Sequence, residues 1–457
     1  MQDKRDGRTH ASAIKFGDTS MKSTPTDTLL CTPEEARPSS HTTQQLIVAT
    51  TIGNAFEFFD LTVYSFFAVL LGKLFFPVAS SEQQLLLSVA AFGIGFIARP
   101  LGGVVFGVLA DRLGRVTAMN LTLIAMALGT GMIGVMPTYA QIGIAAPLMI
   151  LTARILQGFS AGGEVGVATA LLAERASSER RGFVTSWQFA SQGAAALAGS
   201  LVGFLLSHYL STSALESWGW RIPFLTGILI APLGLYLRSR IDDEEAHAPT
   251  RRTDAVDILK TVFTRDMKLV VIAFALVIGG TAAHFIVLYY MSTYAIKVLH
   301  LPMDTSLWCG ILAGAVMLVA APVGGIWSDR YGRKRVAFLS RVALTVLIFP
   351  GFWLIGHMSS VAVLFAVVAA LAILHSINAG ANGTMLAELF PRSTRATALS
   401  IAYAAGVSIF GGFAQFFVTW LIQVTGDPMA PAWYVVGCGV LSLIALAGVV
   451  DKTRQAI

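Results

Sequence analysis

Apolar residues fall into runs of about 20, the length of a helix that crosses roughly 30 Å of hydrocarbon, and short polar breaks separate them. The runs lie near 45–72, 83–107, 117–136, 143–173, 183–207, 221–238, 268–297, 304–327, 336–356, 360–387, 396–424 and 432–450. About twelve transmembrane helices are predicted. Lipid offers backbone N–H and C=O groups no partner, so a spanning chain is either helical or a closed barrel. The alternating strands of a barrel are missing, and the expected fold is an all-α membrane protein. Residues 1–42 break the pattern. They are polar, rich in Ser, Thr and Pro, and lack an apolar leader, which predicts a disordered cytoplasmic tail.

Composition agrees: 55% of residues are hydrophobic and 13% charged, against about 25% charged in soluble domains. Mean hydropathy is +0.69. The net charge of +6 is spread over loops that flank the apolar runs, without aromatic interleaving, and so implies no nucleic acid. Lys73, Arg221 and Lys297 are the basic residues of one set of loops, and the opposite set carries most of the others. By the positive-inside rule both termini are cytoplasmic. Cys31, Cys309 and Cys438 are scattered and support neither a disulfide framework nor a metal site. No Gly-rich nucleotide loop with Lys–Ser/Thr is present, and no extramembrane segment is large enough for a soluble enzyme domain. "SAGGEVGVA" lies inside an apolar run and reads as close helix packing.

The chain repeats itself. "GVLADRLGR" at 107–115 recurs as "GIWSDRYGR" at 325–333, matching Gly107, Asp111, Arg112 and Arg115 to Gly325, Asp329, Arg330 and Arg333. "LAERASSERRG" sets Glu174 before Arg181 with the spacing that "LAELFPRSTRA" gives Glu388 and Arg395. A duplication in register predicts two pseudo-symmetric six-helix halves. The expected boundaries are 1–42 for the tail, 43–240 for the first half, 241–266 for a central cytoplasmic loop, 267–451 for the second half and 452–457 for a short tail. The motif glycines permit tight turns. The Asp and Arg can bridge to the ends that carry Glu174 and Glu388, which suits a gate.

These motifs resemble the signature loop of the major facilitator superfamily. "GNAFEFFDLTVY", "FIARPLGGVVFG", "RILQGFSAGGEVG" and "SWGWRIPF" are similar to its metabolite:proton symporter branch, and the likeness runs from about residue 50 to 450. The resemblance implies the superfamily fold and a substrate among carboxylates and osmolytes such as citrate, 2-oxoglutarate, shikimate, proline and betaine. "TSWQFASQG" and "WLIQVTGDPMAPAWY" look most like citrate-type carriers. Osmolyte carriers of the branch often bear a long charged C-terminal coiled coil; here the sequence ends about seven residues after the last run, which tilts the expectation towards carboxylates. Drug–proton antiporters usually show a Gly-Pro motif in the fifth helix, and "FASQGAAALAGSLVGFLL" has no proline.

Charges at bilayer depth cost roughly 2.5 kcal/mol or more and are functional candidates by default. Glu57 and Asp60 lie about 12 to 15 residues into the first run, or roughly 18–22 Å at 1.5 Å per residue. With Asn54 and Tyr64 they make one polar stripe that should face the bundle interior. Two carboxylates so close are expected to share a proton-coupling role, with Glu164 as a third candidate. Arg99 and Arg154 are the basic residues counted within helices. Arg99 suits bidentate binding of a carboxylate, or a salt bridge to Asp60 or Glu57, or each at a different stage. Arg154 fits a structural or coupling role. Gln188 and Gln192, with His284, Tyr289, Tyr290, Asn378 and Asn382 from the second half, can bind substrate or act as interhelical glue.

The expected protein is a secondary transporter, not an enzyme. It would import a small organic anion with protons across a bacterial inner membrane, as a monomer and without a further cofactor. An osmolyte symporter and a channel or transporter-like receptor are the alternatives.

Overall fold

The computed structural model describes residues 40–455 apart from Ala79, Gly114, Gly163, 239–254, Ser359, Arg392 and Ser393. The expected tail, Cys31 and the first part of the central loop lie outside the described residues. So do the side chains of Gly107, Asp111, Arg112 and Arg115.

Every regular element among the described residues is helical. In chain order the apolar helices are α1 (Ser40–Phe66) and α2 (Ala68–Phe75), α3 (Ser81–Phe106), α4 (Thr117–Val135), α5 (Ala145–Arg175) and α6 (Arg181–Tyr209). They continue with α7 (Ile222–Arg238), α8 (Met267–Lys297), α9 (Met303–Tyr331), α10 (Arg333–Met358), α11 (Val361–Leu389), α12 (Thr397–Thr425) and α13 (Ala430–Ala447). Ten of these are individually long and apolar enough to span, and the bent pair α1–α2 makes an eleventh candidate. The remaining helix, α7, is 17 residues long, at the short end of the spanning range.

The first run was expected as a single helix, but α1 and α2 meet at 66°. Apolar character continues through the bend, so periodicity cannot reveal it. Gly72 is its packing reason: a Cβ there would stand 2.7 Å from the Gln84 carbonyl of α3.

Glycines also set the spacing of α3 and α5. A Cβ at Gly158 or Gly162 would overlap the carbonyl of Gly95 or Arg99, and one at Gly102 would overlap that of Phe159. This is close small-residue packing of the membrane kind. It sets the Arg154 carbonyl against Gly95 and the Arg99 carbonyl against Gly162. Gly193 and Gly314 likewise seat α6 against α9. Large apolar side chains such as Ile97, Leu128, Val319, Val346 and Ile444 point outward, with exposed Trp218, Trp308, Trp327, Trp353, Trp420 and Trp433. An apolar exterior with indoles at its surface suits a bilayer.

Gly158→Val tests the packing. It should cost about 1–3 kcal/mol or more by overpacking, seen as a lower melting temperature in detergent, whereas Gly437→Ala, which meets nothing within 4 Å, should be neutral. Equal melting temperatures for the two variants would refute the helix–helix constraint.

Candidate substrate and coupling site

Pro100 prepares the site. It has no N–H to give the Phe96 carbonyl four residues back, and that oxygen instead accepts from the Ser408 hydroxyl of α12 at 2.6 Å. The helix breaks at Ala98 and restarts at Arg99. Ser408 opens a π-helical stretch, Ser408–Gly412, a geometry that recurs at functional sites.

Arg99 Nη2 lies 2.7 Å from Glu57 Oε1, with both side chains buried, and its guanidinium covers the Phe96 ring at 4.1 Å. Asp60 belongs to a different cluster. Arg154 Nη1 donates to Asp60 Oδ2 at 3.0 Å, and the Thr130 hydroxyl donates to Asp60 Oδ1 at 3.0 Å. Gln157 Nε2 in turn donates to Thr130 at 2.9 Å. Arg154 stacks over Tyr64 at 3.9 Å, and the Tyr64 hydroxyl donates to the Ser88 carbonyl at 3.2 Å.

Two expectations change. Asp60 pairs with Arg154 and not with Arg99, and the stripe on α1 is divided among several neighbours: Asn54 meets α6, Glu57 meets α3, Asp60 meets α4 and α5, and Tyr64 meets α3 and α5. Tyr64 supports Arg154 rather than lining a substrate path. Glu57 remains within electrostatic reach of Glu164 and Asp60 as well as Arg99; Glu164 accepts from Thr122 at 3.4 Å. The cleft beside Arg99, Arg154 and Gln157 measures about 10 Å³, room for one water at most.

Asn54 Nδ2 donates to the Gln188 carbonyl at 2.8 Å and to the Ser191 hydroxyl at 2.7 Å, which ties α1 to α6. The side-chain amide of Gln188 and Nε2 of Gln192 are buried without a hydrogen-bond partner. Tyr403 of α12 is set among Gln192, Arg99 and Glu57, so helices from both ends of the chain meet at the Glu57–Arg99 pair.

In the later helices, His284 Nδ1 and His375 Nε2 are 3.1 Å apart, and His284 packs edge-on against Phe58 of α1 at 5.7 Å. The π-helical stretch Phe285–Tyr290 begins beside it. Thr419 donates to the Tyr290 hydroxyl at 3.3 Å. Asn378 is fully engaged: its Oδ1 accepts from Arg341 Nη2 at 2.5 Å, and its Nδ2 donates to the Ala337 carbonyl at 2.8 Å. It therefore orients Arg341 rather than awaiting a ligand. Arg341, with its side chain 2% exposed, is a third intramembrane arginine. Its position inside the apolar run 336–356 was the available signal. Its nearness to the basic start of α10 groups it with the loop.

At the motif-bearing end, Asp329 accepts from the backbone N–H groups of Gly182 and Phe183 at 2.8 and 2.9 Å, capping α6 from α9. Carboxylates are stabilised at a helix N-terminus by its unsatisfied N–H groups. Glu388 receives Arg181 at 2.8 Å and Arg333 at 2.6 Å, and Arg333 also reaches Asp329 at 2.9 Å. Arg395 pairs with Glu174 at 3.2 Å. Thr185 and Thr384 form a further hydroxyl contact between α6 and α11. Arg330 stands outside this network, over Tyr331 at 5.3 Å, in a surface cavity lined also by Glu179 and Arg180. Towards the other end, Ser65 donates to Gln415 at 3.0 Å and Gln423 to the Glu82 carbonyl at 3.1 Å. The chain's early and late helices are thus joined at both ends.

A buried relay of paired charges between helices, with latches at each end, is the layout of a carrier. The chain belongs to the Major Facilitator Superfamily, whose model matches residues 50–321 and 308–455. It is a multi-pass membrane transporter, not an enzyme. It is 34% identical over 411 residues to a citrate-proton symporter of Klebsiella pneumoniae, covering 90% of this chain and 93% of that one. A proline/betaine transporter of Escherichia coli is also 34% identical, over 88% of this chain and 82% of its own length. The solved proton:xylose symporter XylE superposes with a TM-score of 0.75 at 19% identity, over 91% of this chain and 98% of that one. XylE supports the fold alone.

Glu388→Gln removes the carboxylate shared by Arg181 and Arg333. Losing one partner of a buried pair costs about 3–5 kcal/mol, so the motif-bearing end should open. A cysteine replacing buried Ser186 should then react many-fold faster with a hydrophilic maleimide; an unchanged labelling rate would show that Glu388 does not hold the latch.

Proposed function

We propose that the protein is a proton-coupled symporter for a small organic carboxylate, citrate or a related di- or tricarboxylate, working by alternating access. In this reading two six-helix halves, 43–240 and 267–451, give twelve spans with both termini and the Asp-Arg-x-Gly-Arg face in the cytoplasm of a bacterium. The carrier functions as a monomer.

The observation that carries the reading is the Glu57–Arg99 pair at the meeting of early and late helices. A carboxylate that takes up a proton releases the guanidinium beside it. The guanidinium is then available to a substrate carboxylate, for which its planar fork is suited. Proton and anion binding become positively coupled. Asp60 and Arg154, held by Thr130 and Gln157, position the pair, and Glu164 adds a second protonatable group within its reach. Gln188, Gln192 and Asn382 supply hydrogen-bonding groups to the substrate.

Energetics favour protons as the coupling ion. Moving a dianion inward against about 100 mV costs roughly 4.6 kcal/mol at about 2.3 kcal/mol per charge. Two protons cancel that cost, and a third supplies drive. Betaine or proline import is the second reading, supported by a relative of equal identity; Arg99 would hold the single carboxylate of such a zwitterion.

In proteoliposomes, Glu57→Gln should exchange citrate but lose accumulation driven by an imposed pH gradient, and Arg99→Gln should abolish uptake. Citrate uptake by Arg99→Gln at the parent rate would sink the proposal. Asp60→Asn leaves Arg154 without its buried counter-charge, at about 3–5 kcal/mol, so its first symptom should be a lower melting temperature. A stable Asp60→Asn protein that keeps exchange yet loses accumulation would instead assign the coupling proton to Asp60.

A further inference from the structure

The later helices hold a charge with no counter-charge. Arg341 of α10 is buried, and the one side chain it bonds is the neutral amide of Asn378. No carboxylate among the described residues pairs with it, and its Nη1 is buried without a hydrogen-bond partner. By contrast, Arg99 and Arg154 each have a carboxylate at 2.7 and 3.0 Å. A buried guanidinium that lacks an anion is costly unless some stage of the protein's work supplies one.

The surroundings make room for that anion's partner. Gly279 and Gly280 of α8 have no side chains where the guanidinium lies: a Cβ at Gly279 would stand 3.1 Å from Nη1, and one at Gly280 would stand 3.3 Å from Nη2. Asn382 stands beside the same glycine. One turn further along each helix, His284 and His375 bond to each other, while His284 Nε2 and His375 Nδ1 are buried and unsatisfied. His284 touches the Tyr289 ring at 5.3 Å. Tyr289 in turn lies within electrostatic reach of Glu57 and Arg99, with its hydroxyl beside Thr62. Neighbouring polar side chains thus lead from Arg99 through Tyr289 and the histidine pair to Arg341.

We propose that Arg341 is a second carboxylate anchor, set by Asn378 and completed by Asn382, so that the substrate is an anion with at least two carboxylates bridging Arg99 and Arg341. This rests on the symport reading above and assigns the residue that holds the substrate's second carboxylate. A zwitterion with one carboxylate can satisfy one arginine, and its cationic end would meet the unbalanced positive charge of the other.

Binding of citrate, succinate, butyrate and glycine betaine to the purified protein and to Arg341→Gln, by calorimetry at one pH, tests it. The parent should bind citrate and succinate more tightly than butyrate. Arg341→Gln should weaken citrate and succinate by about tenfold or more and leave butyrate nearly unchanged, since bidentate charge-assisted bonds to one carboxylate are lost. Equal citrate affinity in parent and Arg341→Gln would overturn the anchor and leave the symport reading standing. A parent that binds glycine betaine but none of the anions would overturn both. Should Arg341→Gln fail to fold, Arg341→Lys, which loses the fork, and Gly280→Ala, which crowds Nη2, take its place: each should lower the preference for citrate over butyrate, and an unchanged preference in both would refute the proposal.

Discussion

The structure depends on one constraint: a charge removed from water must find its counter-charge in the protein. Glu57, Asp60, Arg99 and Arg154 meet it in two pairs, and the pairs dictate which helices touch. Arg154 can reach Asp60 because α3 and α5 pack at backbone distance, and they do so because glycine occupies positions 95, 102, 158 and 162. The charges are therefore products of the packing as much as its cause. Replace those glycines and the arginines move out of register with α1. The small residues that look least chemical in the sequence set the geometry of its chemistry.

The two pairs differ in what surrounds them. Asp60 accepts from Arg154 and Thr130, and Thr130 is fixed by Gln157, so the cluster is locked by neutral hydrogen bonds within the early helices. Glu57 instead meets Arg99 at 2.7 Å, with no neutral donor fixing either carboxylate oxygen among the described residues. Such a contact is held by charge more than by direction, and charge is what a proton or an anion can switch. Under the proposed coupling, the locked pair would anchor the bundle while the other cycles.

Helix placement was legible because lipid demands long apolar runs, and the motif duplication marked Asp329, Arg333 and Glu388, which meet in one ionic network. Partner choice was not legible. A spacing of three fixes where Glu57 and Asp60 stand on α1, but not which neighbour stands opposite: Arg99 could reach either carboxylate and meets Glu57, which leaves Asp60 to Arg154. The bend at Phe67 leaves no trace because apolar character is the same on both sides of it. Asn378 read as a substrate group or as interhelical glue because it is polar and intramembrane; its partner, Arg341, was hidden by the basic residues that begin the same helix. Buried polar atoms speak through their partners, and partners belong to the fold.

A shared ancestry with both citrate and betaine carriers, at the same identity, becomes intelligible in these terms. Both substrates present a carboxylate, so an arginine released by a protonated neighbour serves either. What must differ is the charge balance met by the rest of the molecule. Around Arg99 the early helices are balanced or acidic, with Glu57, Asp60 and Glu164 against two arginines, whereas the interior of the later helices away from the latch holds Arg341 beside two histidines and an amide. Discrimination between an oligocarboxylate and a zwitterion then needs no change to the coupling pair. On the proposed reading it needs a change in the helices opposite, where Arg341, which pairs with no carboxylate among the described residues, would repel a quaternary ammonium and attract a second carboxylate.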